Sequence, residues 1–209
     1  MNYKVYSRGV GMINTNCYLL VNEDTSEVVI FDPGAEAMVI SEIIIKKCWK
    51  PAGIILTHGH FDHILAADSL RKEFGVKIYA NELERPLLES AELNQSTQVG
   101  LNCRVDDVEY LKDGAVIKLA DFELKMIATP GHTGGSACFY NELNELLFSG
   151  DTLFYRTYGR TDLPTGSLSA LRRSINDVLF KLPDEVRVYP GHGSETSIGE
   201  ERIENPIVN

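Results

Sequence analysis

Residues 57–63 read "THGHFDH", placing three histidines and an aspartate within seven positions of a chain that has five histidines in all. The other two are His132 in "PGHTGGS" and His192 in "YPGHG", and a further carboxylate, Asp151, sits in "SGDTLF". Neutral imidazoles and carboxylates suit Zn, Fe and Mn, and no neighbouring thiolate turns the choice towards a Cys-rich structural zinc site. His58 and His60 are two residues apart, so in extended backbone both imidazoles project to one side and can meet one ion. Gly59 between them lets another part of the backbone come close. Asp62 and His63 follow a turn and can serve a second ion. Two ions bridged by a carboxylate form a hydrolytic pair about 3.5–4 Å apart, and coordination lowers the pKa of water from about 15.7 to about 7. Two divalent ions, two aspartates and a bridging hydroxide leave a net charge of about +1, which suits a substrate carbonyl or carboxylate oxygen.

Each of these residues needs an element to carry it, and each follows an apolar run. "GIILT" (53–57) reads as a strand covered on both faces and ending at His58, and "FELKMIATPG", "ELLFSGD" and "EVRVYPG" read as strands ending at His132, Asp151 and His192. From Asp62, a fair N-cap, "DHILAADSLRKEFG" reads as one helix stopped by Gly75. The first 33 residues read as strands, "AEAMVISEIIIKKC" as a helix, "VKIYA" as a strand and "NELERPLLESAEL" as a helix. Residues 91–107 carry no clear pattern. "SLSALRRSINDVLFKL" predicts an amphipathic helix with Leu168, Leu171, Ile175, Val178, Leu179 and Leu182 on one stripe. Strands followed by helices, twice over, predict an α/β (α+β) chain in four layers, helix on sheet on sheet on helix; a three-layer fold reads similarly. No linker interrupts residues 1–209, which suggests one domain.

Composition narrows the partners. A formal charge of −10 and pI near 5.0 disfavour nucleic acid and anionic membranes. The basic pairs Lys46-Lys47 and Arg172-Arg173 are short and isolated. There is no secretory h-region and no apolar run near the roughly 20 residues that span a bilayer. Cys17, Cys48, Cys103 and Cys138 form no C-x-x-C pair, consistent with neutral thiols in a reducing compartment. These features predict a cytoplasmic protein acting on small molecules.

Taken in order, "FDPG", "THGHFDH", "PGHTGGS", "SGDTLF" and "YPGHG" resemble the metallo-β-lactamase superfamily over essentially the whole chain. The resemblance implies an αββα sandwich of two mixed sheets flanked by helices. It implies His58, His60 and His132 on one ion, Asp62, His63 and His192 on another, and Asp151 bridging, with Asp32 behind the ligands ordering them. Zinc is the first expectation for both ions, with iron or manganese as alternatives. An aspartate at position 151, where the common dizinc β-lactamases carry cysteine, argues against antibiotic hydrolysis.

The motifs match the glyoxalase II group best, hydroxyacylglutathione hydrolases that cleave thioesters. The implied reaction is attack of a hydroxide bound by two metals on a thioester or other small acyl ester, with Asp62 handling its proton. Two departures qualify the match. Only 17 residues follow His192, too few for that group's C-terminal glutathione-binding helical domain. "YRTYGRTDLPTGS" replaces its basic–aromatic pair, leaving Tyr155 and Arg160, with Arg156 and Tyr158 beside them, as candidate substrate contacts. "GRTD" is also similar to persulfide dioxygenases, which would use one iron on His58, His132 and Asp151. A non-catalytic metal-binding member is the third reading.

Overall fold

The chain opens as an antiparallel meander of β1 (Tyr3–Val10), β2 (Thr15–Asn22) and β3 (Glu27–Phe31). The structure, a computed structural model, describes residues 2–208. All eight residues of β2 are buried, so the strand is covered on both faces. Its side chains divide by the period of two: Cys17, Leu19 and Val21 enter one apolar cluster, Tyr18 and Leu20 another. Helix α1 (Ala37–Lys46) covers the first cluster with Ile40 and Ile44. The sheet grows by β4 (Lys50–Ile55), which lies parallel to β3. After two short helices, α2 (Phe61–Ile64) and α3 (Ala67–Phe74), comes β5 (Ile78–Asn81), parallel to β4. A single turn, α4 (Arg85–Leu88), and β6 (Val108–Leu111) complete this half.

The second sheet holds β7 (Val116–Leu119), β8 (Phe122–Ala128), β9 (Ala137–Asn141) and β10 (Leu146–Gly150), each antiparallel to the next. The small hairpin of β11 (Leu153–Phe154) and β12 (Thr157–Tyr158) and helix α5 (Leu168–Arg173) follow. Then β13 (Arg187–Pro190) joins parallel to β10, with β14 (Thr196–Ser197) at its edge and α6 (Ile198–Glu204) beyond. The sheets face each other through Tyr18, Phe31, Phe122, Phe139 and Phe148, the Phe31 and Phe148 rings stacking at 3.8 Å. A third cluster packs Leu147 and Val188 against Leu171, Ile175 and Leu179. Three apolar layers separate four layers of secondary structure, which decides for the αββα arrangement over a three-layer fold.

Three expected helices are shortened. The stretch beginning at Asp62 divides into α2 and α3, where Ala66 N donates to Pro33 O at 2.9 Å; Gly75 ends α3 in the left-handed region as expected. "NELERPLLESAEL" forms only a 3₁₀ turn (Glu82–Glu84) and α4. The 168–182 stripe starts as α5, widens into a π turn over Ser174–Val178 and tightens to 3₁₀ over Leu179–Lys181. That change of pitch leaves Val178 exposed, as is Leu168, while Leu171, Ile175 and Leu179 stay buried.

Strand direction places the site. Because β8 and β10 both run against β9, and β13 runs with β10, their C-terminal ends share one edge. The parallel ends of β3 and β4 supply Asp32 and residues 57–63. Cross-sheet bonds hold the two edges together: Asn16 N to Gly191 O at 2.7 Å, Tyr18 Oη to Pro190 O at 2.7 Å, and Ala137 N to Thr57 O at 2.9 Å.

Candidate metal centre

The loops after β4, β8, β10 and β13 bring His58, His60, Asp62, His63, His132, Asp151 and His192 into one cluster. Its ligand-type atoms gather in three overlapping groups, His58–His60–His132, His58–His63–Asp151 and Asp62–His63–His192. The rings of His58, His60 and His132 lie mutually 4.7–4.9 Å apart. His60 turns Nδ1 inward, 2.8 Å from His132 Nε2. His63 Nε2 lies 3.3 Å from both Asp62 Oδ2 and Asp151 Oδ1, and His192 Nε2 is 3.3 Å from Asp62 and 3.6 Å from Asp151. Asp151 also reaches His132 Nε2 at 3.6 Å, so this one carboxylate touches imidazoles of both outer groups. Asp62 is not the N-cap read for it: His60 holds that position and Asp62 lies in the first turn of α2, its Oδ2 accepting from Thr15 Oγ1 at 2.6 Å.

Oxygens behind the imidazoles set their tautomers. His63 Nδ1 lies 2.8 Å from Asp32 Oδ2, and Asp32 also accepts from Thr57 N (2.8 Å) and Thr57 Oγ1 (2.6 Å). Since that hydroxyl donates to Asp32, its free lone pair faces His58 Nδ1 at 3.2 Å. His132 Nδ1 donates to the Arg160 carbonyl at 2.7 Å. In all three rings Nδ1–H points outward and Nε2 offers its lone pair to the centre. His58 Nε2, His63 Nε2 and Asp151 Oδ1 are buried without a hydrogen-bond partner, and His60 turns its Nδ1 to the same place. Such atoms cost free energy unless something meets them. Lone pairs converging from imidazole and carboxylate are what a divalent cation requires, so the residues fit a metal. Asp32 takes φ 45° and so also turns the chain before Pro33, combining both roles read for it.

Charge separates the groups. Burial, then neighbouring imidazoles, holds His58 well below the ordinary histidine range; burial and His132 push His60 down to about 3. These rings are neutral, as ligation demands. Around His63 burial acts downward, but Asp62, Asp151 and Asp32 outweigh it and raise the imidazole. Burial would raise Asp62 and Asp151, yet His63 foremost holds both below the usual carboxylate range. His192 is raised, the Asp62 hydrogen bond and Asp151 overcoming burial.

The cluster floors a cleft of about 380 Å³ walled by Ile13, Phe61, Phe154 and Leu163, with Gln95, Gln98 and Arg160 at its polar side. The Arg160 guanidinium is forked onto Asp162 through two 2.7 Å bonds, so its carbonyl, behind His132, is the part that serves the centre. Tyr155 is 42% exposed and lies outside the cleft wall, with the Arg156 guanidinium 5.2 Å from its ring centroid. Phe154, one residue earlier, meets His192 edge-on at 6.1 Å. Phe154 and Thr57 lie within the motifs "SGDTLF" and "THGHFDH", but their residue types alone do not mark them as parts of the site. Ile13 and Thr15 had no local signal at all. A larger groove of about 730 Å³, lined by Lys125, Ile127, Tyr140 and Leu143 among others, contains none of the candidate ligands.

Fold and centre together define a class. A profile of the Metallo-beta-lactamase superfamily matches residues 10–192, and the chain belongs to that superfamily of metallo-hydrolases. It is 36% identical over 198 residues to a hydroxyacylglutathione hydrolase, GloC, of Haemophilus influenzae, covering 93% of this chain and 92% of that relative. The solved structure of BLEG-1 B3 metallo-beta-lactamase matches with a TM-score of 0.93 at 36% identity, over 99% of this chain and 100% of that one. TTHA1623, solved in a di-iron-bound form, matches with a TM-score of 0.86 at 32% identity, over 96% and 98%. Among the described residues no helix is long and apolar enough to cross a membrane.

Proposed function

We propose that this protein is a dinuclear metallo-hydrolase of small acyl substrates, thioesters foremost. The observation that carries the reading is the convergence of two ligand groups joined by Asp151, which lies 3.3–3.6 Å from His63, His132 and His192. His58, His60 and His132 would hold one cation and Asp62, His63 and His192 the other, with Asp151 between them. Zinc is the first choice, and iron and manganese suit the same donors; the di-iron form of TTHA1623 supports iron as an alternative. Divalent cations there would supply a nucleophile from water at neutral pH and Lewis-acid polarisation of the acyl oxygen.

The chain's own residues do the rest. Asp62, whose Oδ2 is steadied by Thr15, would take the proton of an attacking water. Ile13, Phe61 and Phe154 line an apolar cleft that keeps bulk water from the acyl group. A thiolate leaving group, with a thiol pKa near about 8.5, needs little acid assistance, which fits a site whose five histidines are all committed. The likeness to GloC supports a thioester. Four free cysteines fit a reducing compartment such as the cytoplasm. A one-iron dioxygenase on His58, His132 and Asp151 would leave Asp62, His63 and His192, which converge equally, without a task.

The test is a panel of thioesters, lactones, phosphodiesters and, given the BLEG-1 likeness, a β-lactam, assayed with zinc-, iron- and manganese-loaded protein. Thioester turnover is expected, and His58→Ala should lower it by on the order of 100-fold or more, beyond the 10–100-fold typical of losing a residue behind a ligand. A variant as active as the parent would sink the site. One tightly bound iron with oxygen uptake on persulfide would replace hydrolysis by the dioxygenase reading.

A further inference from the structure

Glu84 has 0% solvent exposure, at the end of the 3₁₀ turn between β5 and α4. A buried carboxylate is costly unless several donors meet it, and the donors here are specific. Oε2 accepts from Gly59 N at 2.7 Å; Oε1 accepts from Gly135 N at 2.9 Å and from Thr133 Oγ1 at 2.5 Å. Gly59 lies between His58 and His60, and Thr133 directly follows His132. One carboxylate therefore spans two loops that reach the centre from different sheets. The same turn grips Gly135 from its other side, since Asn81 Nδ2 donates to Gly135 O at 2.8 Å.

The glycines of "HGH" and "TGGS" follow from this contact. Neither Gly59 nor Gly135 has a positive φ, so conformational freedom does not explain them. A Cβ on Gly135 would lie 2.6 Å from Glu84 N and 2.8 Å from Oε1; one on Gly59 would lie 2.8 Å from Leu87 Cβ and 3.0 Å from Glu84 Oε2. Each loop lacks a side chain where Glu84 must come close. A carboxylate is also the one side chain that offers acceptors on both arms and no donor. Glutamine would turn an N–H towards one loop's donors and release that loop.

We infer that Glu84 is a positioning residue that sets the spacing between the His58–His60 loop and the His132 loop, and thereby the metal affinity of that group alone. The inference rests on reading His58, His60 and His132 as one ligand group.

The test compares the parent with Glu84→Gln, Gly135→Ala, Glu201→Gln and His58→Ala, each loaded with zinc and equilibrated against graded chelator, with bound metal counted by elemental analysis. The visible spectrum of cobalt-substituted protein is recorded alongside. Glu84→Gln is expected to lose one ion of two at a free-metal level about 10- to 100-fold higher than the parent, to keep the other, and to change one cobalt band set. Gly135→Ala, which presses on the same contact from the opposite loop, should lose the same ion and replaces Glu84→Gln if that variant fails to accumulate. Glu201 is equally buried but bonds Arg156 N, Thr196 and Asn205. Glu201→Gln should therefore keep both ions at parental affinity while unfolding at lower temperature. If Glu84→Gln holds both ions as tightly as the parent with an unchanged cobalt spectrum, the inference is overturned, whatever its unfolding temperature. If His58→Ala also keeps both ions, the ligand assignment falls and takes the inference with it.

Discussion

At the residue scale the centre is organised by oxygens that never face substrate. Asp32 behind His63, Thr57 behind His58 and the Arg160 carbonyl behind His132 decide which nitrogen of each ring is free. Glu84 stands one step further out and carries a signature of its own. Burial pushes its carboxyl up, against the opposing bonds from Thr133, Gly59 and Gly135. The folded protein then binds that proton more tightly than the unfolded chain. The associated stability is fully present below the unfolded carboxyl pKa, near about 4.3, and is lost as pH rises through the raised folded value. In metal-free protein the unfolding free energy of the parent minus that of Glu84→Gln should therefore decrease as pH rises from about 4 to about 7. Urea titrations across that range measure it; a difference that stays flat or grows would mean the buried carboxyl is not perturbed as described.

At the element scale, the central strands were legible because both of their faces are covered. "NCYLLVN" and "ELLFSGD" read as unbroken apolar runs for that reason, with β10 buried at all five positions. Helices were less legible, since what breaks them is tertiary. Ala66 bonds to Pro33, more than thirty residues upstream, and no periodicity within "DHILAADSLRKEFG" reports that. The element on which the site leans hardest is β10, which holds Phe148 in the inter-sheet core three residues before Asp151. Phe148 stacks on Phe31 and Tyr189 and meets Tyr18 edge-on. Phe148→Ala should lower the unfolding free energy by about 3–5 kcal/mol, the usual cost of emptying a buried aromatic site. A loss under about 1 kcal/mol in denaturant titration would show that this layer does not hold the sheets together.

At the scale of the whole molecule, the candidate ligands join two halves of the chain. His58, His60, Asp62 and His63 come from the first sheet's loops, and His132, Asp151 and His192 from the second's. None of the three apolar clusters includes a ligand, so the layers can stand without metal. Chelation should then leave the far-ultraviolet circular dichroism unchanged and lower the unfolding midpoint. At free metal 1,000-fold above its dissociation constant the bound ion stabilises by about 4 kcal/mol. Thermal scans with and without chelator check this. An unchanged midpoint, or a chelated protein already unfolded at room temperature, would contradict it.

The sequence by itself determined the inventory of the centre. Histidine and aspartate beside glycine at the ends of apolar runs are local facts, and the motif order was enough to suggest the superfamily. Only the tertiary structure decided how the centre is held. Glu84 is 25 residues from Gly59 and 51 from Gly135, and Thr15 is 47 from Asp62. Such pairs leave no periodic trace, because strand order and sheet packing select them rather than neighbouring residues. The same holds for the cleft wall, where Phe154 faces inward while Tyr155 turns out to solvent. That choice depends on the small β11–β12 hairpin and on Glu201 bonding Arg156 N from the far end of the chain.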